Sequence, residues 1–537
     1  MRVTDAIARA LKDEGVEYLI CYPRQALIDS CAAIGIRPIV CRQERVGMGI
    51  ADGVSRSTYG KRIGVFSMQG GPGAENTFPG VAQVFGDNVP VLIMPGHRIG
   101  RSFTHPSFDP VQSFKPVTKW GAEIAEPGRA LELVRRAFHN LRSGKLGPVV
   151  LEVPTQVGAM EMPGEYDYKP VRTITSGPDP DDVKRVATLL LESKSPVIHA
   201  GQGVLYSGAT RELVQLAELL NAPVLTTNTG KGAFPEDHPL SLGAMVISAQ
   251  KSAFHFLKQA DVVLGMGTSL TRNPWAPQIP SGKRIIHCTL DASDVGKEFP
   301  TEAAILGDAR LVLLALIAEI GERRRPGADV AGEIARLRAE WEAEWASELT
   351  SAERPINQYR IINDLRTMLD PANVIITHDA GSPREQLIPF WRTVRPGGYL
   401  GWGKSTQLGH GLGLIMGAKL ANPDKICINL MGDASIGMVG MDIETAVRNR
   451  LGILTIVFNN GVMAGEKNGL VEAQAYNAAD LGGDYSQVAK GLGAWSVRLE
   501  NPDDFKPALA TALKANAEGK PALIEIVAKQ NFKYSRY

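Results

Sequence analysis

Residues 425–462, KICINLMGDASIGMVGMDIETAVRNRLGILTIVFNNGV, decide the fold. Lys425 to Met431 (KICINLM) is short and apolar. Ile436 to Arg450 carries apolar residues at helical spacing with charges opposite, and Ile453 to Phe458 (ILTIVF) is a β-branched run. Strand, helix and strand in that order predict a βαβ unit with parallel strands. Such strands lie about 4.8 Å apart, or twice that with one strand between. Asp433 and Asn460, at the carboxyl ends of the two strands, can therefore reach one ion.

The residue types suit a hard cation that keeps phosphate partners. Magnesium takes few protein oxygens. Here these would be the Asp433 carboxylate, the Asn460 amide oxygen and the Val462 carbonyl, leaving positions for diphosphate oxygens and water. Ala434 and Ser435 open a helix, where free N–H groups and the positive dipole end favour an anion. The plainer alternative is a loop with an Asx or Ser cap followed by an Asn-Asn turn.

A second motif, Arg42-Gln43-Glu44-Arg45, sets a glutamate at a strand end before an apolar, glycine-punctuated helix (Val46 to Val54). Further along come Gly70-Gly71-Pro72-Gly73-Ala74-Glu75-Asn76, the block Thr226 to Leu242 (TTNTGKGAFPEDHPLSL), and the late GDAS and NN. With these in order, the chain resembles the thiamine-diphosphate enzymes of the acetolactate synthase type over essentially its whole length. Oxalyl-CoA decarboxylases and 2-hydroxyacyl-CoA lyases are cousins.

The resemblance implies thiamine diphosphate and Mg2+ as cofactors and gives residues their roles. Glu44 is similar to the glutamate that shares a proton with the pyrimidine ring nitrogen. Val46, Met48 and Ile50 around it should raise its carboxyl pKa, which suits a proton shuttle; otherwise Glu44 is a surface acid paired with Arg42 or Arg45. Leu408, in Gly403-Lys404-Ser405-Thr406-Gln407-Leu408-Gly409, aligns with the bulky residue that folds the two cofactor rings together. Without the resemblance it reads as a core leucine. The cofactor set is completed by Gly70, Gly71, Gly381, Ser382, Gln407, Gly432, Asp433, Ala434, Ser435, Asn460, Val462 and Met463. Asp379, before Gly381, is a phosphate-side residue or only a helix cap.

The 537 residues predict about three domains rather than one core. An apolar share of 44% and a charged share of 21% fit a globular protein, and a net charge of +1 gives no footprint for nucleic acid or an acidic membrane face. Five cysteines (Cys21, Cys31, Cys41, Cys288, Cys427) without C-x-x-C spacing sit in apolar runs, which favours a reducing cytoplasm over a disulfide framework. The amino-terminal MRVTDAIARALKDEGVEYLI reads as an amphipathic helix leading to a strand, with neither a signal peptide nor a membrane span.

The fold class expected is α/β, with three domains that are each a mainly parallel sheet flanked by helices. Residues 1–165 form the first, and the resemblance makes it pyrimidine-binding. A central domain spans 183–322, a charged helical linker 323–356, and the diphosphate- and magnesium-binding domain 357–537. In the family the outer domains meet across two subunits, so a homodimer or homotetramer is implied. Gly201-Gln202-Gly203 reads as a tight packing turn in preference to a nucleotide-binding loop. FAD or ADP in the central domain is possible but not favoured.

The departures from acetolactate synthases touch substrate selection. Those enzymes carry Pro-Gly-Gly where this chain has Pro23-Arg24-Gln25. They carry Phe-Gln-Glu where it has His105-Pro106-Ser107-Phe108-Asp109. The substrate-meeting arginine of the middle domain has only approximate counterparts in Arg272 or Asn273. Arg24, Gln25, His97 and His105 are therefore candidates for reading a small-molecule substrate, or mere structural contacts. The expected activity is decarboxylation of a 2-oxo acid with carboligation. Alternatives are a carbon–carbon lyase or hydrolase acting on an acyl-CoA or a diketone, and a non-catalytic cofactor-binding subunit.

Overall fold

The computed structural model describes residues 1–23, 26–96, 108–272, 279–324, 329–467 and 469–537. Arg24, Gln25, His97, His105 and Asn273 lie outside the described residues. Three six-stranded sheets, every pairing in them parallel, form the frame. Their strands are near-continuous apolar runs because helices cover both faces.

The first sheet holds Tyr18–Cys21, Arg37–Val40, Gly64–Gln69, Val91–Gly96, Trp120–Glu123 and Val149–Glu152, and the third holds Val374–His378, Tyr399–Leu400, Ile426–Gly432, Ile453–Asn459, Trp495–Leu499 and Ala522–Val527. Counted within each sheet, both run in the order 2-1-3-4-6-5. The middle sheet (Pro196–Ala200, Val224–Thr227, Ser241–Met245, Val262–Met266, Arg284–Thr289 and Thr301–Leu306) runs 3-2-1-4-5-6, the doubly wound order.

The βαβ unit holds with its two strands directly adjacent, Met431 opposite Val457 and Gly432 opposite Phe458. Its crossover differs from the single helix expected over 436–450. Asp433–Val439 and Ile443–Arg448 are separate helices joined by a 3-10 turn, Gly440–Asp442. Gly437 and Gly440 weaken the helix there, and Asp442 turns its carboxylate to the Thr445 hydroxyl (2.8 Å) and to the Arg42 backbone N–H (2.8 Å).

The outer domains join along two parallel helices, Glu44–Ser57 and His410–Ala421. A Cβ built on Gly53 would lie 2.1 Å from the Leu414 carbonyl oxygen, and one on Gly417 2.0 Å from that of Ile50. Only glycine permits this approach. Ile50, Val54, Leu414 and Ala418 flank the seam in one buried cluster that runs through both domains.

The central domain is pinned to the third by a buried ion pair. Lys231 bonds Glu236 and the Ile388 carbonyl, and Glu236 accepts from Thr393 N–H (2.8 Å). Within the linker span the helix runs Val330–Leu349. Its Trp341 indole donates to Ser535 in the carboxyl-terminal tail (2.8 Å). All five cysteines are buried, and no helix among the described residues is long and apolar enough to cross a membrane.

Candidate functional site

The strand ends of the third sheet converge as the βαβ reading requires. Asp433 opens its helix at the end of Ile426–Gly432, where one carboxylate oxygen accepts from Ala434 N–H (2.9 Å) and the other from Gly461 N–H (2.8 Å). That second bond ties the two strand ends together. Asn460 turns back so that its amide oxygen accepts from Val462 N–H (3.1 Å), and Gly461 sits at φ +72° to allow the turn. Met463 N–H bonds the Ala479 carbonyl, continuing the turn. Burial raises the Asp433 carboxyl pKa against the hydrogen bonds that favour its charged form. One carboxylate and one amide oxygen at these strand ends are oxygen donors of the kind magnesium takes, with the remainder of its shell from other oxygens, phosphate and water.

Gly381 precedes the helix Ser382–Phe390 at φ +85°, as Gly71 precedes Pro72–Gly86 at φ +68° in the first domain. A Cβ on Gly71, Gly381 or Gly432 would meet nothing within 4 Å, so all three backbones face open space. Gly70, beside Gly71, is held by its N–H to the Gly96 carbonyl. Ser382 is less free than expected: its hydroxyl pairs with that of Tyr534 in the tail (2.8 Å).

Asp379 is not the cap of that helix. Its carboxylate accepts from Ala380 N–H (2.9 Å), Gly409 N–H (2.9 Å) and Gly411 N–H (3.1 Å), locking the Gly381 turn to the turn that follows Leu408. Burial raises its pKa. A Cβ on Gly409 would press on Val439, with the Ser435 carbonyl next to it, so the Leu408 turn lies against the helix that Asp433 opens. Gln407 is half-buried, with both amide atoms shielded and without a partner among the described residues. A group of that kind is expected to meet a ligand or water.

Glu44 is the first residue of its helix and is 6% exposed. Asn76 donates to it (3.3 Å), while Arg42 pairs with Glu444 and Arg45 donates to the Leu408 carbonyl (2.7 Å). Among the described residues Glu44 has no ion pair, so the surface-acid alternative fails. Burial raises its pKa, in the sense that Val46, Met48 and Ile50 imply. It faces a cleft of about 550 Å³ that Gln69, Gly73 and Asn76 line from the first domain, and Met438, Val439 and Met441 from the third. Arg45, next to Glu44, thus reaches the Leu408 turn, and that turn packs on the helix that Asp433 opens. Asp379 and Asn76 were the least legible members, since neither forms a motif alone.

A second cavity, about 730 Å³, opens at the carboxyl ends of the central strands and reaches residues of both outer domains. Gly201 and Gly203 do pack tightly, since a Cβ on either would meet Gly267 backbone at 2.4–2.8 Å. The space beside them still suits a nucleotide-sized ligand. Buried His199 lines it with neither ring nitrogen partnered among the described residues, and burial lowers its pKa to about 4. Arg272 lines this cavity with its guanidinium over the Phe299 ring, 4.4 Å from the centroid.

Comparison with known proteins assigns all three domains. The description "Thiamine pyrophosphate enzyme, N-terminal TPP binding domain" matches residues 1–112, its central domain matches 183–316, and its C-terminal TPP binding domain matches 379–526. A probable acetolactate synthase large subunit of Methanocaldococcus jannaschii is 30% identical over 98% of this chain and 92% of its own. Acetolactate synthase isozyme 3 large subunit of Escherichia coli is 24% identical over 97% and 94%. A sulfoacetaldehyde acetyltransferase of Alcaligenes xylosoxydans is 29% identical over 98% and 93%.

Proposed function

Because the chain belongs to the thiamine pyrophosphate enzymes, with all three of their domains present, we propose that it is a thiamine-diphosphate- and magnesium-dependent decarboxylase and carboligase acting on a 2-oxo acid. The observation that carries this reading is Glu44, buried at a helix start in a cleft between the outer domains, with its pKa raised and its neighbour Arg45 bonded to the Leu408 carbonyl. A protein that only bound the cofactor would need the phosphate cradle but no buried proton carrier. When bound, thiamine diphosphate supplies the carbanion that adds to a carbonyl.

The chain's own residues supply placement and proton transfer. Asp433, Asn460 and Val462 would hold magnesium. Gly381 and Ser435 would offer backbone N–H groups to the diphosphate, while the Ala434 N–H is held by Asp433. The Glu44 carboxyl, whose raised pKa brings it toward the working range, would hold the proton shared with the pyrimidine nitrogen of a bound cofactor. Leu408 and Gln407 bear on the rings from the third domain. Carbon dioxide leaves the 2-oxo acid, and the remaining acyl unit passes to a proton or a second carbonyl.

Two further expectations belong with this reading. Met438 and Met441 are exposed apolar residues at the rim of the cleft, which supports a second copy seated there in a homodimer or homotetramer. Sedimentation of the full chain tests it, and a monomer at micromolar concentration would refute it. The central cavity can hold a nucleotide such as FAD or ADP, for which the proposed reaction has no redox need.

A second reading, carbon–carbon cleavage with acetyl transfer, is favoured by the sulfoacetaldehyde acetyltransferases among the relatives. It is also favoured by the departures at Arg24, Gln25 and His105. Carbon dioxide release by the loaded protein across 2-oxo acids, with and without an aldehyde acceptor, decides between them, with Glu44→Gln as blank. Loss of a proton carrier costs about 10²–10⁴-fold, so release should fall that far in Glu44→Gln while magnesium-dependent cofactor binding persists. Silence across the panel points to the cleavage reading, and full turnover by Glu44→Gln refutes the proton role.

A further inference from the structure

The segment Gly403–Gly409, which carries Gln407 and Leu408, is not built to hold its own shape. Gly403 (φ +132°), Thr406 (φ +56°) and Gly409 (φ +88°) all occupy the left-handed half of backbone space. Thr406 is β-branched, and such a residue persists there only when its surroundings over-determine it.

The surroundings come from the other domain. Asp87, at the carboxyl end of Pro72–Gly86, is fully buried. Its carboxylate accepts from Gly403 N–H and Lys404 N–H, both at 3.2 Å. Arg56 (3.1 Å) and the Gln83 amide (2.7 Å) bond the same carboxylate. The Gln83 amide oxygen in turn accepts from Gln407 N–H (3.3 Å). One residue on, Arg45 holds the Leu408 carbonyl from beside Glu44 (2.7 Å). Asp87, Gln83 and Arg45 thus grip a strained loop of the third domain at 403–404, 407 and 408, all from the domain that carries Glu44.

We infer that Gln83 and Asp87 are positioning residues that set Leu408 and Gln407 for the cofactor, so that the first domain shapes the cofactor-contacting loop of the third. The inference rests on the proposed roles of Glu44 and Leu408. Gln83 does not reach the cofactor in this account; it acts through the loop.

The test uses the full chain with thiamine diphosphate and Mg2+ and reads deuterium exchange at the thiazolium carbon of the bound cofactor, which needs no substrate. Gln83→Met keeps side-chain length and removes the acceptor for Gln407. Losing the placement should slow exchange about 10- to 100-fold, with the cofactor dissociation constant within about threefold of the wild-type value. Gln83→Met combined with Leu408→Ala should be no slower than Leu408→Ala alone, because both act through one placement. A merely structural role would make the two losses multiply, and that result overturns the inference. Wild-type exchange in Gln83→Met also overturns it. If Gln83→Met does not fold, Arg45→Met, which frees the Leu408 carbonyl at a half-buried position, carries the same expectation and the same refutation. Unchanged exchange in Glu44→Gln or Leu408→Ala refutes the underlying roles themselves, and the inference with them.

Discussion

Gly417→Ala tests whether the seam between the outer domains sets the site. Its new methyl would lie 2.0 Å from the Ile50 carbonyl oxygen and 2.8 Å from Gly53 Cα, against about 3.5 Å for ordinary carbon contact. Both obstacles are backbone, so no side chain can swing aside and the helices must part by more than about 1 Å. Overpacking of this kind costs about 1–3 kcal/mol, while exchanging glycine for alanine inside a helix returns roughly 0.5–1 kcal/mol. A net destabilisation of about 1–2 kcal/mol is expected. The larger effect is on chemistry, because Glu44 and the Leu408 turn stand at the starts of these same helices. A displacement near 1 Å between them lowers turnover by about 100-fold. Urea unfolding followed by circular dichroism reads the first effect, and cofactor proton exchange reads the second. Gly491→Ala is the control, at a helical position where a Cβ meets nothing within 4 Å; it should be neutral or slightly stabilising. A Gly417→Ala protein with the wild-type unfolding midpoint and wild-type exchange would refute the argument that the seam fixes the cleft.

Lys231→Met should destabilise the protein by about 3–5 kcal/mol, because it strands the Glu236 carboxylate in a buried site. Adding Glu236→Gln should recover part of that loss, and a double variant no more stable than the single one in thermal unfolding would contradict the assignment. Asp442 supplies a pH test. Burial raises its carboxyl to about 6, against the Arg42 and Thr445 hydrogen bonds that favour the charged form. The folded state therefore holds this proton more tightly than the unfolded chain, in which an aspartate titrates near about 3.9. The resulting stability is fully present below pH ~4, declines as the pH rises and is gone above about 6. The melting difference between the wild type and Asp442→Asn should fall from pH 4 to 7, and a flat difference across that range would be the contrary result.

Local chemistry was legible in the sequence and long-range chemistry was not. The strand before Asp433, the strand before Asn460 and the helix after Glu44 were readable because apolar periodicity is a local signal. The broken crossover was missed because the 3.6-residue period continues across Gly440, while Asp442 is drawn to a backbone N–H in another domain. Asp379 read as a cap because caps are local. Its actual donors include Gly409 and Gly411, about thirty residues on. The glycines at 49, 53, 413 and 417 show the four-residue spacing of a close helix pair, yet spacing does not say which helix meets which. Gln83 and Asp87 belong to no motif, and only the fold brings them to the Leu408 turn.

The buried cysteines have a use beyond packing. Burial lifts the thiols of Cys21, Cys31, Cys288 and Cys427 to about 12, and that of Cys41 well above its ordinary value. Thiolate is the reactive form, so the folded protein should be nearly silent toward alkylating reagents, and each labelling event should mark a transient opening. Three of these thiols lie in the first domain, one in the second and one in the third. The chain therefore carries its own stopwatch for each domain. The order in which peptides become labelled reveals which domain breathes first and whether cofactor slows the outer pair together, with no tag or engineered probe.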